Sequence, residues 1–118
     1  MPKNPTIAIR DCLAEIAVLH QIADRMAVQA FRSDPIARRA AAYAIQTISE
    51  AVRKNPDDWL ADYPTKPWGQ IKSIGNRIRH EYFAVDDAIL WEIITTDAPA
   101  LQTVMEAMLT RHAGDSGA

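Results

Sequence analysis

One cysteine, three histidines and four glycines in 118 residues leave little material for several kinds of protein. With Cys12 alone there is no intramolecular disulfide and no cysteine-rich metal site. Its neighbours Ile9, Leu13 and Ile16 mark it instead as a small buried hydrophobe. His20 and His112 lie far apart, with no His-x-x-x-His or Glu-x-x-His spacing, so neither a metal nor any other cofactor is expected. No glycine-rich phosphate loop and no Gly-x-Ser-x-Gly elbow occurs. No apolar run approaches the ~20 residues of a membrane span. Met1-Pro2-Lys3-Asn4-Pro5 lacks a signal-peptide pattern, and a cytoplasmic protein without membrane contact is expected. An excess of positive charge is missing too. A net charge of −2 and a pI near 5.9 argue against a uniformly basic nucleic-acid coat, although a local basic patch remains open.

What is present reads as helix. Apolar residues make up 48% of the chain and recur at helical spacing, and no segment alternates with a two-residue period, so no strands are predicted. The spacing predicts a first helix over about Thr6 to Arg25, with Ile9, Leu13, Ile16 and Leu19 or His20 inward; Met26 to Phe31 fits either a continuation or a separate turn. Ser33-Asp34-Pro35 supplies an N-cap and a first-turn proline for a second helix, which Asn55-Pro56 ends. Its predicted buried stripe is Ile36, Ala40, Tyr43 or Ala44, Ile48 and Val52. Asp57 to Tyr63 fits one short turn. A third helix runs from about Pro67 to Tyr82, with Trp68, Ile71, Ile74 and Ile78 on one face. Asp86 or Asp87 caps a fourth helix, and Thr96-Asp97-Ala98-Pro99 reads as a further cap opening a last one. Trp59, Trp68 and Trp91 read as core anchors. The expectation is an all-α, four- to five-helix up-and-down bundle over residues 1–112, with 113–118 as a flexible tail.

The third helix carries the unusual polar face. Ser73, Asn76, Arg77 and His80 project together, opposite Ile71, Ile74 and Ile78. Arg77 and His80 are three apart and Asn76 and His80 four, so their side chains can meet. Such a set suits a phosphate: arginine binds its oxygens through charge-assisted hydrogen bonds, and histidine moves a proton near neutral pH. The same residues also fit a plain solvated face whose terminal histidine complements the helix dipole.

The wider pattern separates these readings. Trp68, Gln70-Ile71, Asn76, His80, Tyr82-Phe83 and Val85-Asp86, together with Ile48-Ser49-Glu50-Ala51, Trp91 and Asp97-x-Pro99, closely resemble the HepT-like branch of the HEPN superfamily. In that family a tryptophan opens a helix ending in Arg-Asn-x-x-x-His-x-Tyr-Phe, and Ile-Gly-Glu-Ala stands on the second helix. The resemblance implies a helical bundle that forms a homodimer through the motif helix. It further implies a metal-independent endoribonuclease acting as the toxin of a toxin–antitoxin pair. RNA is the implied substrate, and a minimal nucleotidyltransferase the antitoxin partner. Carried over, His80 is the catalytic candidate and Asn76 its orienting partner; the shared helix face adds Arg77 to the catalytic set, with Arg79, Ser73 and Glu50 as substrate-binding candidates. Glu50 would pair with Arg77 or orient His80. Tyr82 is the implied acceptor of an AMP group.

One position departs from the pattern. Where the family has its motif arginine, five before the histidine, this chain has Gly75. A mid-helix glycine is unfavourable by ~1 kcal/mol relative to alanine, so it wants a reason: close packing, lost catalysis, or a mutation relieving toxicity. Losing a charged clamp typically costs ~10²–10³-fold in rate, so ribonuclease activity is expected to be weakened or lost. Arg77 or Arg79 could compensate, and Arg77 is the better placed because it shares the His80 face. The rival expectation is a non-catalytic module that binds nucleotide, RNA or a partner protein through the same surface.

Overall fold

The computed structural model describes residues 4–115, and all of its regular elements are helical. Asn4 caps the first helix, α1 (Pro5–Arg25), its side-chain oxygen accepting from the Thr6 backbone N–H at 2.9 Å and the Thr6 hydroxyl at 2.8 Å. Met26 and Ala27 are extended and break the helix there, so Val28–Arg32 forms a separate short α2 that buries Phe31. The predicted Asp34–Pro35 start is found as expected: the Asp34 carboxylate accepts from the N–H groups of Ile36 and Ala37 and opens α3 (Pro35–Arg53). A short α4 (Asp57–Ala61) precedes α5 (Trp68–Glu81). A single 3₁₀ turn, Tyr82–Ala84, leads to α6 (Asp87–Glu92), whose N-cap is Asp86.

The expected second cap at Thr96–Asp97 does not form. Asp97 is helical and caps nothing; α6 runs through a π-helical turn, Ile93–Asp97, straight into α7 (Ala98–His112). The physical reason is Pro99, which has no N–H to offer the carbonyl four residues back and whose ring would collide with it. The wider turn relieves that conflict: the Ala98 N–H bonds to the Ile93 carbonyl, five residues back, and the Thr95 hydroxyl donates to the Trp91 carbonyl at 2.8 Å. The bundle therefore has four long rods: α1, α3, α5 and α6–α7.

Helix α3 lies at the centre, packed on α1 and α5, while α1 also packs on α7. The buried stripe of α3 includes Ala37, Ala41, Ala44, Ile45, Ile48, Ser49 and Val52; Ala44, Ile48 and Val52 lie inward as predicted, whereas Ile36, Ala40 and Tyr43 are exposed. Ile36 is 80% exposed and Tyr43 68%. The inward face is the one rich in alanine, because small side chains let two neighbouring helices approach a central one closely. Size, rather than hydrophobicity alone, sets the rotation of this helix.

Cys12 is buried as expected, and burial followed by the charge of Glu15 pushes its thiol up to about 12. The three tryptophans act as anchors. Trp91 tilts against Phe31 at 5.2 Å, Trp59 stacks on His112 at 3.7 Å, and the Trp68 indole donates to the carbonyls of Leu60 and Tyr63. Ala113–Asp115 form a 3₁₀ turn after α7; the rest of the expected tail, and Met1 to Lys3, lie outside the described residues. No helix among the described residues is long and apolar enough to cross a membrane.

Candidate functional site

The two ends of α5 are held differently. Its start is tethered: the Trp68 indole is bonded to α4 and the following loop, and Lys72 forms a 3.7 Å ion pair with Asp57. The carbonyl of Lys72 accepts two hydrogen bonds from α3, from the Ser49 hydroxyl and the Arg53 guanidinium, each at 2.8 Å. The second half has no such tie. Among the described residues, no side-chain hydrogen bond or ion pair engages Asn76, Arg77, Arg79 or His80. All four are exposed.

Gly75 explains the rotation of the helix. It is buried, and a Cβ built on it would stand 2.6 Å from both Cβ and Oγ of Ser49. The glycine is a close-packing residue that lets α5 lie against α3 at this point. Positions on α5 then follow from ~100° per residue: with Gly75 pointing at α3, Asn76 lies about 100° away, His80 about 140°, and Arg77 about 160° in the other sense. Asn76, Ser73, His80 and Arg77 accordingly share the outward face, as predicted. Arg79, about 40° from Gly75, flanks the α3 contact instead.

A side chain at position 75 meets Ser49 at once, which supplies the close-packing reason for glycine here. Glu50 stands exposed on α3, and among the described residues no ion pair joins it to Arg77. Ser73 is spent locally, its hydroxyl donating to the Gln70 carbonyl at 3.2 Å.

Sequence reasoning missed Ser49 as the partner of Gly75. The available signal was a pair of residues that each weaken a helix interior, one in each of two adjacent helices. It also missed a groove beside the motif. Because α5 packs chiefly on α3, a cleft of about 730 Å³ opens between α5 and the α6–α7 rod, with Ile45, Ile48 and Ser49 at its floor. Its walls carry Ile71 and Ile74 on one side and Ile89 and Ile93 on the other. Arg77 and Lys66 stand on the α5 side, Glu92 and Asp97 on the opposite side. The π turn shapes this second wall.

Tyr82 is half-buried at the helix end, and Phe83 meets it edge-on at 5.1 Å. His20 lies on the other side of the bundle, 2.6 Å from the Gln102 side chain. Among the described residues no group of three His, Cys, Asp or Glu side chains converges as a metal site would require.

Comparison with known proteins now gives this surface its context. The ribonuclease HepT-like family matches residues 12–108. The chain belongs to that family. A candidate RNase of Caldanaerobacter subterraneus subsp. tengcongensis is 28% identical over 93% of this chain and 98% of its own length. A candidate RNase of Methanocaldococcus jannaschii is 27% identical over 84% of this chain and 83% of its own. A protein named probable ribonuclease HepT, from Thermococcus cleftensis, is 25% identical over 85% and 91% respectively. No solved structure matches. The HepT-like assignment covers α5 entirely, so the exposed Asn76–His80 face lies inside the family's common region.

Proposed function

We propose that this HepT-like chain is a metal-independent endoribonuclease, the toxin of a toxin–antitoxin pair, and that Asn76, Arg77 and His80 form its working face. One observation carries the reading: Arg77 and His80 share the exposed face of α5, with Arg79 nearby on its flank, and among the described residues none of the three has a carboxylate partner, in a protein of net charge −2. Unneutralised charge in one place on an otherwise acidic molecule is what binding a polyanion requires.

In the proposed reaction the 2′-hydroxyl of RNA gives up its proton and attacks phosphorus. The O2′–P bond forms as the P–O5′ bond breaks, and the leaving oxygen takes a proton. His80 serves proton transfer, Arg77 holds the non-bridging oxygens, and Asn76 orients the phosphate or the imidazole. The two proton transfers need two groups. The groove supports a homodimer as their source: its isoleucine walls want covering, and its rims are of opposite sign, so a second copy laid across it would set Arg77 against the partner's acidic rim. His80 lies beside Arg77 around the helix, so such a dimer brings two His80 imidazoles to one seam. Tyr82, whose hydroxyl has no hydrogen bond among the described residues, is the proposed site at which a nucleotidyltransferase antitoxin attaches AMP.

Gly75 changes meaning within this proposal. It belongs to the packing of α5 on α3, and the cation of the site is Arg77. Purified protein incubated with single-stranded RNA in EDTA should yield fragments ending in 2′,3′-cyclic phosphate, and His80→Ala should yield none. RNA bound but left intact by both would establish the binding-module reading instead. Cleavage that persists in His80→Ala would remove His80 from the mechanism.

A further inference from the structure

Phe83 is the most exposed large hydrophobic residue of the described chain, at 89%, and the proposed reaction does not use it. It sits three residues beyond His80, in the 3₁₀ turn that ends the motif helix. Its ring is not adrift: the edge-on contact with Tyr82 at 5.1 Å and 72° leaves one face of the phenyl group open to solvent. Beside it lies a recess of about 310 Å³ lined by Tyr82, Phe83, Val85 and Leu90, with Arg38, Asp86 and Asp87 as its polar members. The Arg38–Asp87 pair, at 3.5 Å, and the Asp86 cap on Ala88 fix that polar side.

An isolated aromatic ring, positioned by a neighbour and placed one turn from unpartnered cations, is how proteins hold an unstacked base of a single strand. A protein-docking surface has a different anatomy, with several apolar residues in one contiguous desolvated patch. At Phe83 the apolar neighbours Val85 and Leu90 are buried in the fold, and the residues flanking it in sequence, Glu81, Ala84 and Asp86, are exposed, two of them acidic. We infer that Phe83 is a base-stacking platform: it holds the base of a nucleotide flanking the phosphate bound at Arg77 and His80, with that base over the Tyr82–Leu90 recess. This deepens the ribonuclease reading and rests on it. A single-stranded cleavage site is favoured, since a paired base must first be unpaired and unstacked, at a cost in free energy, to reach the ring.

The test uses the full chain and a short single-stranded RNA carrying 2-aminopurine at successive positions. With the original protein, binding should quench the fluorophore at one position near the cleavage site. Phe83→Ala and Phe83→Leu should abolish that quench and weaken RNA affinity roughly tenfold, the scale of losing one base–aromatic stack. Phe83→Trp should retain both signals, which a role in folding or plain apolar packing would not predict for tryptophan against leucine. Equal thermal midpoints for all variants would match the exposure of the side chain. Unchanged affinity and quenching in Phe83→Ala, with RNA still bound, overturns the platform alone. Loss of a dimer on sedimentation with RNA affinity intact assigns the ring to a protein interface and also overturns it. Absence of RNA binding by the original chain overturns the ribonuclease reading together with this one.

Discussion

Toward α3, helix α5 presents Gly75 and Ile78, both buried, and the carbonyl of Lys72 accepts two side-chain hydrogen bonds. On the far side Asn76, Arg77 and His80 stand exposed, and among the described residues none makes a side-chain hydrogen bond or ion pair. The first face obeys packing rules, under which one added methyl group is felt. The second is solvated and answers no internal packing need, which leaves it free to meet a ligand. The difference teaches that Gly75, although it occupies a family motif position, belongs to the first face and not the second.

Substitutions on either face sharpen the contrast. The largest effect is expected from Gly75→Arg, which forces bulk and a charge against Ser49 and should lower stability by about 3 kcal/mol or more. A thermal midpoint lowered by ten degrees or so would register it. The family pattern on α3, with glycine where this chain has Ser49, suggests the remedy: Ser49→Gly added to Gly75→Arg should recover part of the loss. A Gly75→Arg protein as stable as the original would show that the notch is not tight. Next comes Ser49→Ala, which removes one hydrogen bond to the Lys72 carbonyl but leaves that of Arg53, for a cost of about 1 kcal/mol in denaturant titration. The smallest effect on stability belongs to Arg77→Ala, within about 0.5 kcal/mol, because its exposed side chain makes no hydrogen bond or ion pair among the described residues. Its RNA affinity should nonetheless fall, and the salt dependence of binding should become shallower by about one phosphate contact.

The legibility of the sequence followed the same divide. The outward face was readable because Ser73, Asn76, Arg77 and His80 need only helical periodicity to be placed together, and the caps at Asp34 and Asp86 follow from local chemistry. What depended on distant partners was not readable. The role of Gly75 is defined by Ser49, 26 positions earlier, and periodicity within one helix carries no information about which neighbour it meets. The rotation of α3 was misread because Ile36 and Tyr43 scored as inward by hydrophobicity, whereas contact with two helices selected the alanines. Pro99 looked like the start of a helix and instead sits just beyond a π turn, since the chain had a third option between stopping and continuing.

The claim that binds these observations is that the exposed face of α5 is built for RNA chemistry and is dispensable for the fold. The most direct measurement is thermal unfolding and RNA cleavage in EDTA on one preparation of His80→Ala beside the original chain. The account predicts superimposable melts and loss of cleavage in the variant alone. A lowered midpoint, or cleavage undiminished by the substitution, would contradict it.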